Sequence, residues 1–208
     1  MKIISFSLWG DNPKYTIGAV KNAALAKTIY PGWECYFYVS TDVPADILEQ
    51  LRAEGATLIM KGDGNWFGLT WRFLAADIPD ATVLVRDTDS RLNLREKAAV
   101  DEWLNGKNDF HIIRDHPFHV SRIMGGMWGA RNNICSGITE WLNNYRLSNC
   151  YDSDQAFLRE VVFPRVVSRS TVHDPFMDKI PFPALAPART NTFFVGQVYN
   201  PDDSPVFS

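Results

Sequence analysis

An α/β fold, with a mostly parallel central sheet flanked by helices, is predicted by three observations. Strand-like and helix-like segments alternate through the first sixty residues. Polar or glycine-bearing residues fall where successive strands would end. Beyond residue 173 periodicity gives way to recurring prolines (Pro175, Pro181, Pro183, Pro187, Pro201, Pro205), which predict a loop-rich C-terminal part. Strands separated by helices require crossover connections, and these build a Rossmann-like sheet with helices on both faces.

Lys2–Leu8 reads as the first strand and Tyr15–Ile29 as a helix carrying Ile17, Val20, Ala24 and Leu25. Pro31-Gly32 stops that helix, and Glu34–Val39 is the second strand. Pro44–Glu54 forms a helix with Ile47, Leu48 and Leu51 inward and Gly55 just past its end, where a left-handed residue closes a helix. Ala56–Met60 is the third strand. After the loop 62–68, Leu69–Asp77 reads as a helix feeding a fourth strand that begins at Val83. Arg95–Leu104 is a further helix and Asp109–Arg114 a further strand. Gly125–Gly129 is glycine-laden, a stretch where backbone approaches something closely. Ile134, Ile138, Trp141 and Leu142 recur at helical spacing. Asp154–Val161 is a short helix with Asp152 or Ser153 as its N-cap.

At 208 residues, 46% hydrophobic and 13% aromatic, the chain can bury a core and is far from the disordered class. Its formal charge is −3 and it has no Lys/Arg block, so nucleic acid is not an expected partner. Three widely spaced cysteines (Cys35, Cys135, Cys150) form neither a disulfide framework nor a C-x-x-C site, and predict reduced thiols and a cytoplasmic setting. The first ten residues are too short for a membrane span. A single domain is expected, acting on a small acceptor or forming part of a longer protein.

The stretch VLVRDTDSR, Val83–Arg91, carries the chemistry. Alternate residues of an extended chain point the same way, so Asp87 and Asp89 at a strand end aim two carboxylates into one volume. Like charges there repel unless a cation lies between them, which points to a divalent metal and a phosphate or diphosphate cargo. The competing reading has the two acids capping the next helix or pairing with Arg86 and Arg91. A second D-x-D, Asp152 and Asp154, shows how weak the motif is alone. Three features would meet at the carboxyl ends of a parallel sheet: Ser7-Leu8-Trp9, the 62–68 loop and Asp87–Asp89.

Further stretches are WRF at Trp71–Phe73, RDHPFH at Arg114–His119 and GGMWGAR at Gly125–Arg131, followed by DQAFL at Asp154–Leu158 and FVGQV at Phe194–Val198. With RDTDSR, their order and spacing resemble small nucleotide-sugar-dependent glycosyltransferases of the GT-A fold from large DNA viruses, bacteria and invertebrates. The resemblance implies a nucleotide-binding half, 1–92, and a sugar and acceptor half, 93–208. It implies Mn²⁺ (or Mg²⁺) held by Asp87 and Asp89, with Asp87 alternatively on the ribose hydroxyls, and a UDP-sugar donor such as UDP-glucose. The acceptor would be a glycan or a small hydroxyl compound.

Retaining enzymes of this kind carry a late His ligand followed six residues on by a diphosphate-binding Lys; here that interval is kept by His173 and Lys179, although the intervening glycine is missing. The same resemblance puts Asp154 and Gln155 at the donor sugar and Thr88, between the two acids, with the nucleotide. Sheet topology alone places Ser7, Leu8, Trp9 and the 62–68 loop at the uracil, and Arg72, one helix upstream of the metal strand, within reach of donor phosphate or base. Asp115 and His116 are expected on donor or acceptor hydroxyls, Gly125 and Gly126 close to sugar, and Trp128 as a stacking face. Each has a structural alternative: a helix-start acid for Asp154, an ion pair for Arg72, the core for Trp128. Hexose or deoxyhexose transfer with retention is the expectation. Its rivals are a haloacid-dehalogenase-type phosphohydrolase and a catalytically silent nucleotide-sugar binder.

Overall fold

The computed structural model describes residues 1–148, 150 and 152–206. Its sheet has seven strands: β1 (Lys2–Leu8), β2 (Glu34–Val39), β3 (Thr57–Met60), β4 (Thr82–Arg86), β5 (Phe110–Ile113), β6 (Met127–Ala130) and β7 (Ser170–His173). They lie in the order β3-β2-β1-β4-β6-β5-β7. β6 runs antiparallel to both β4 and β5, and every other pairing is parallel. Six strands therefore end on one edge of the sheet, and β6 begins there. The fold is α/β and mostly parallel.

Period-two alternation in β1 separates the two faces. Ile4, Phe6 and Leu8 pack with α1 (Pro13–Ile29), α2 (Ala45–Ala53) and α3 (Leu94–Asn105), where Phe6 stacks on Phe37 at 4.7 Å. Ile3 and the residues of β4–β6 that face the same way pack against the segment Trp66–Asp77, α4 (Ile138–Asn144) and α5 (Ser153–Phe157). Burying each large side chain of this kind contributes roughly 1.5–3 kcal/mol. Ser5 and Ser7 also face that second layer. The Ser5 hydroxyl donates to the Arg72 carbonyl (2.7 Å), and the Arg72 N–H donates to Ser7 Oγ (2.9 Å).

Several elements differ from the sequence reading. α1 starts two residues early, with Asn12 Oδ1 accepting from Lys14 N and Pro13 in the first turn, a start signal read past in the sequence. Trp66–Asp77 is a 3₁₀ helix begun by Asn65, not an α-helix over Leu69–Asp77. The glycine-laden stretch contains β6, and Ser170–His173 is a short edge strand. Gly137, at φ 89°, breaks the segment that begins at Ile134, so α4 starts only at Ile138. After α5 the helical path continues through a π turn, Leu158–Val162, into α6 (Phe163–Val166). Gly55 does follow α2 with a left-handed φ of 81°.

Candidate functional site

A cavity of about 430 Å³ lies along the carboxyl edge of the sheet, within the range of small-molecule sites. β1 delivers Ser7, Leu8 and Trp9 to it, the following turn adds Asp11 and Asn12, and the start of α1 adds Tyr15. Asp87, Thr88 and Asp89 arrive from β4, Arg72 from the 3₁₀ helix, Gly125 from the turn before β6, and Asp154 and Gln155 from α5. Of the 62–68 loop, Trp66 lines the cavity. Gly64 and Gly68 pack on the Trp9 ring, where a Cβ on either would crowd it.

The Asp87–Asp89 turn is held from behind by α1. Asn22, fully buried, donates to the Thr88 and Ser90 carbonyls (3.2 and 2.8 Å) and accepts from Leu92 N (3.0 Å). A Cβ on Gly18 would overlap the Thr88 carbonyl, so α1 can sit this close only with glycine there. From the tail, Tyr199 N donates to the Asp89 carbonyl at 2.9 Å. Sequence reasoning missed Asn22 and Gly18; the available signal was a polar side chain on an otherwise apolar helix face.

Arg72 links the two acidic segments. Its guanidinium pairs with Asp87 and, at 3.0 Å, with Asp154, and it is 4% exposed. Burial works against its charge, but the two carboxylates outweigh that and raise its pKa. Burial raises the Asp154 carboxyl above its ordinary range despite Arg72. Asp89 is also raised, first by burial and then by Asp87, while Lys14 Nζ at 3.1 Å opposes the shift. The acids do not cap α3, whose N-cap is Asn93. Nor do they pair with Arg86 and Arg91, which bind Glu96 and Asp203. Glycine is required beside them: a Cβ on Gly126 would overlap the Asp87 carboxylate and come within 2.8 Å of Asp87 N, and one on Gly125 would overlap Asp154.

Several residues expected at the site lie outside the cavity lining. His173 is buried against His111, Nδ1 to Nε2 at 2.8 Å, with Glu102 at 3.5 Å; it stands three strands from β4 and is not beside the acidic pair. Lys179 is exposed on a tail loop. Asp115 is fully buried, bound by both arms of Arg95 (2.7 and 2.9 Å) and by Val195 N. His116 stacks on Phe194 at 4.7 Å. Trp128 is fully buried between Phe73 and Phe110, the core alternative. The histidine that does line the cavity is His119, the last residue of RDHPFH.

Among the described residues no cluster of three or more His, Cys, Asp or Glu side chains could hold a metal by itself. Two carboxylates at a strand end nevertheless fit a hard divalent cation that keeps waters and takes substrate phosphate oxygens as its remaining ligands. Asp87, 38% exposed at its side chain, and Asp89, 15% exposed, both reach the cavity that such a substrate would fill.

No family model matches this chain, and no curated protein matches it in sequence. Solved structures do. Glucosyl-3-phosphoglycerate synthase from Mycobacterium tuberculosis, in complex with Mn²⁺, UDP-glucose and phosphoglyceric acid, is similar over 82% of this chain and 68% of that one, at 18% identity and a TM-score of 0.51. Another structure of the same enzyme covers 82% and 69%, at 17% identity and a TM-score of 0.50. A glycosyltransferase involved in glycosylating the major capsid of PBCV-1 covers 84% and 82%, at 19% identity and a TM-score of 0.48. No helix among the described residues is long and apolar enough to cross a membrane. At this level of identity the comparisons establish the fold: the chain folds like nucleotide-sugar glycosyltransferases of the GT-A type.

Proposed function

We propose that the protein is a metal-dependent glycosyltransferase that moves a hexose or deoxyhexose from a UDP-sugar to an acceptor hydroxyl, with retention of anomeric configuration. One observation carries this reading: the β4 acids, the β1 terminus and the Asp154–Gln155 pair converge on a single cavity. A structural neighbour solved with Mn²⁺ and UDP-glucose supports the choice of donor and metal.

Asp87 and Asp89 would hold the divalent ion, which supplies positive charge to the departing diphosphate. Ser7, Leu8, Trp9 and Tyr15 surround the end of the cavity assigned to the nucleoside. Arg72 pairs with Asp87 and Asp154 and acts as a positioning residue for both. Asp154 then faces the sugar, where an ionised carboxylate accepts hydroxyl hydrogen bonds and stabilises positive charge developing at the anomeric carbon. The acceptor hydroxyl attacks from the leaving-group side, and the departing phosphate oxygen takes its proton.

A panel of UDP-sugars, scored for UDP release with Mn²⁺ and again with chelator, tests this. Metal-dependent release from one or more donors is expected, falling more than about a hundredfold in Asp89→Ala, as for a lost charged transition-state contact. Release of phosphate from simple phosphomonoesters without UDP-sugar turnover would replace the proposal with a phosphohydrolase. Metal-dependent UDP binding without turnover of any donor would make the protein a silent binder.

A further inference from the structure

His119 reaches the cavity from the turn after β5, closed by its own N–H to the His116 carbonyl at 2.9 Å. Its ring orientation is fixed, because Nδ1 accepts the Asp115 backbone N–H at 3.1 Å. Asp115 is itself immobile, held by Arg95 and Val195 through its carboxylate and by Arg189 Nε through its carbonyl at 2.9 Å. Phe194 and Gly196 wall the ring; a Cβ on Gly196 would stand 3.3 Å from His119 Cε1.

An imidazole nitrogen that accepts from an N–H carries no proton, so in the neutral ring the proton is on Nε2. The ring is neutral near pH 7, since burial foremost, then the neighbouring His116, pushes its pKa down to about 4. Among the described residues Nε2 has no hydrogen-bond partner and is not enclosed, and His119 is part of the cavity lining. Asp87 is close enough to act on the ring electrostatically. A protonated Nε2 cannot give a lone pair to a metal. Moving the proton to Nδ1 would set two N–H groups against each other at Asp115.

Resting on the glycosyltransferase reading above, we infer that His119 is no metal ligand but donates an Nε2–H hydrogen bond to an oxygen of the transferred sugar. The position favours sugar over uridine: of the cavity's acids it is Asp87, in the metal motif, that acts on the ring, and the ring's neighbours Phe194 and Gly196 come from the tail rather than from β1. Asp115 thereby acquires a role at one remove, as the residue that sets the His119 tautomer.

Calorimetric titration of UDP-glucose and of UDP, each with Mn²⁺, into wild type, His119→Ala and His119→Gln tests the inference. His119→Ala should lose about tenfold in affinity for UDP-glucose, the size of one neutral hydrogen bond, with UDP affinity unchanged. His119→Gln, which retains an N–H donor, should recover part of the loss. Equal losses for UDP and UDP-glucose would make His119 a metal or diphosphate group, and no loss for either would remove it from the site; each result overturns the inference while leaving the donor class intact. Wild type that binds neither nucleotide overturns the glycosyltransferase reading and the inference with it.

Discussion

Replacing Arg72 by Met keeps most of the side-chain volume but removes the guanidinium that Asp87 and Asp154 share. The two ion pairs are unequal. The Asp87 side chain is 38% exposed, so water substitutes for its partner and that half is worth about 0–1 kcal/mol. The Asp154 side chain is 5% exposed, and breaking a buried pair from one side costs roughly 3–5 kcal/mol. Burial already raises the Asp154 pKa, so the orphaned carboxyl can escape by taking a proton, which limits the cost to about 3 kcal/mol. For a chain of this size that corresponds to a melting temperature lower by about 6–12 °C. Scanning calorimetry without nucleotide measures it. The double variant Arg72→Met/Asp154→Leu removes both buried charges and should regain more than half of the loss. A single variant melting within about 2 °C of wild type, or a double variant as low as the sum of the singles, would refute the claim that Arg72 holds Asp154 in place.

Gly18→Ala pits two effects against each other. Alanine gains about 1 kcal/mol of helix propensity, but its Cβ would overlap the Thr88 carbonyl, a backbone atom, at an overpacking cost of roughly 1–3 kcal/mol. Net destabilisation is expected in a urea titration, together with weaker metal-dependent UDP binding; a stabilised variant with normal binding would contradict it. His111 is fully buried and its pKa is well below 6.5, chiefly by burial. The unfolded chain therefore binds the extra proton, and His111's contribution is lost as pH falls below about 6.5, by about 2 kcal/mol at pH 5. The raised carboxyls of Asp89 and Asp154 work the other way, favouring the folded state as they protonate. The clean observable is thus the stability difference between wild type and His111→Phe, which should shift by about 2 kcal/mol between pH 7.5 and pH 5. A difference independent of pH would show that His111 titrates normally.

The layered fold was legible because its signals are local. The alternation of Lys2–Leu8 and the apolar, aromatic run of Glu34–Val39, with Pro31-Gly32 and Gly55 as stops, define βαβ units without knowledge of tertiary contacts. β6 and β7 were not legible, since four residues show no period and their strand character comes from neighbours on both sides or at the sheet edge. At the site, the strand-end position of Asp87 and Asp89 follows from β4 alone. The sequence cannot say which late histidine comes near them: His173 keeps an interval in sequence but ends a strand three places away, whereas His119, in a loop, reaches the cavity. Trp128 and Asp115 show the same limit. Glycine-flanked Trp and a loop-opening Asp look like ligand contacts until the core and Arg95 claim them.

Crystals grown with Mn²⁺ and UDP, measured at the manganese absorption edge, test the central claim most directly. A single anomalous peak in contact with the Asp87 or Asp89 carboxylate and with the UDP diphosphate is the predicted result, with Lys14 displaced from Asp89. UDP bound with no peak at these residues, or a peak elsewhere on the protein, would contradict the account.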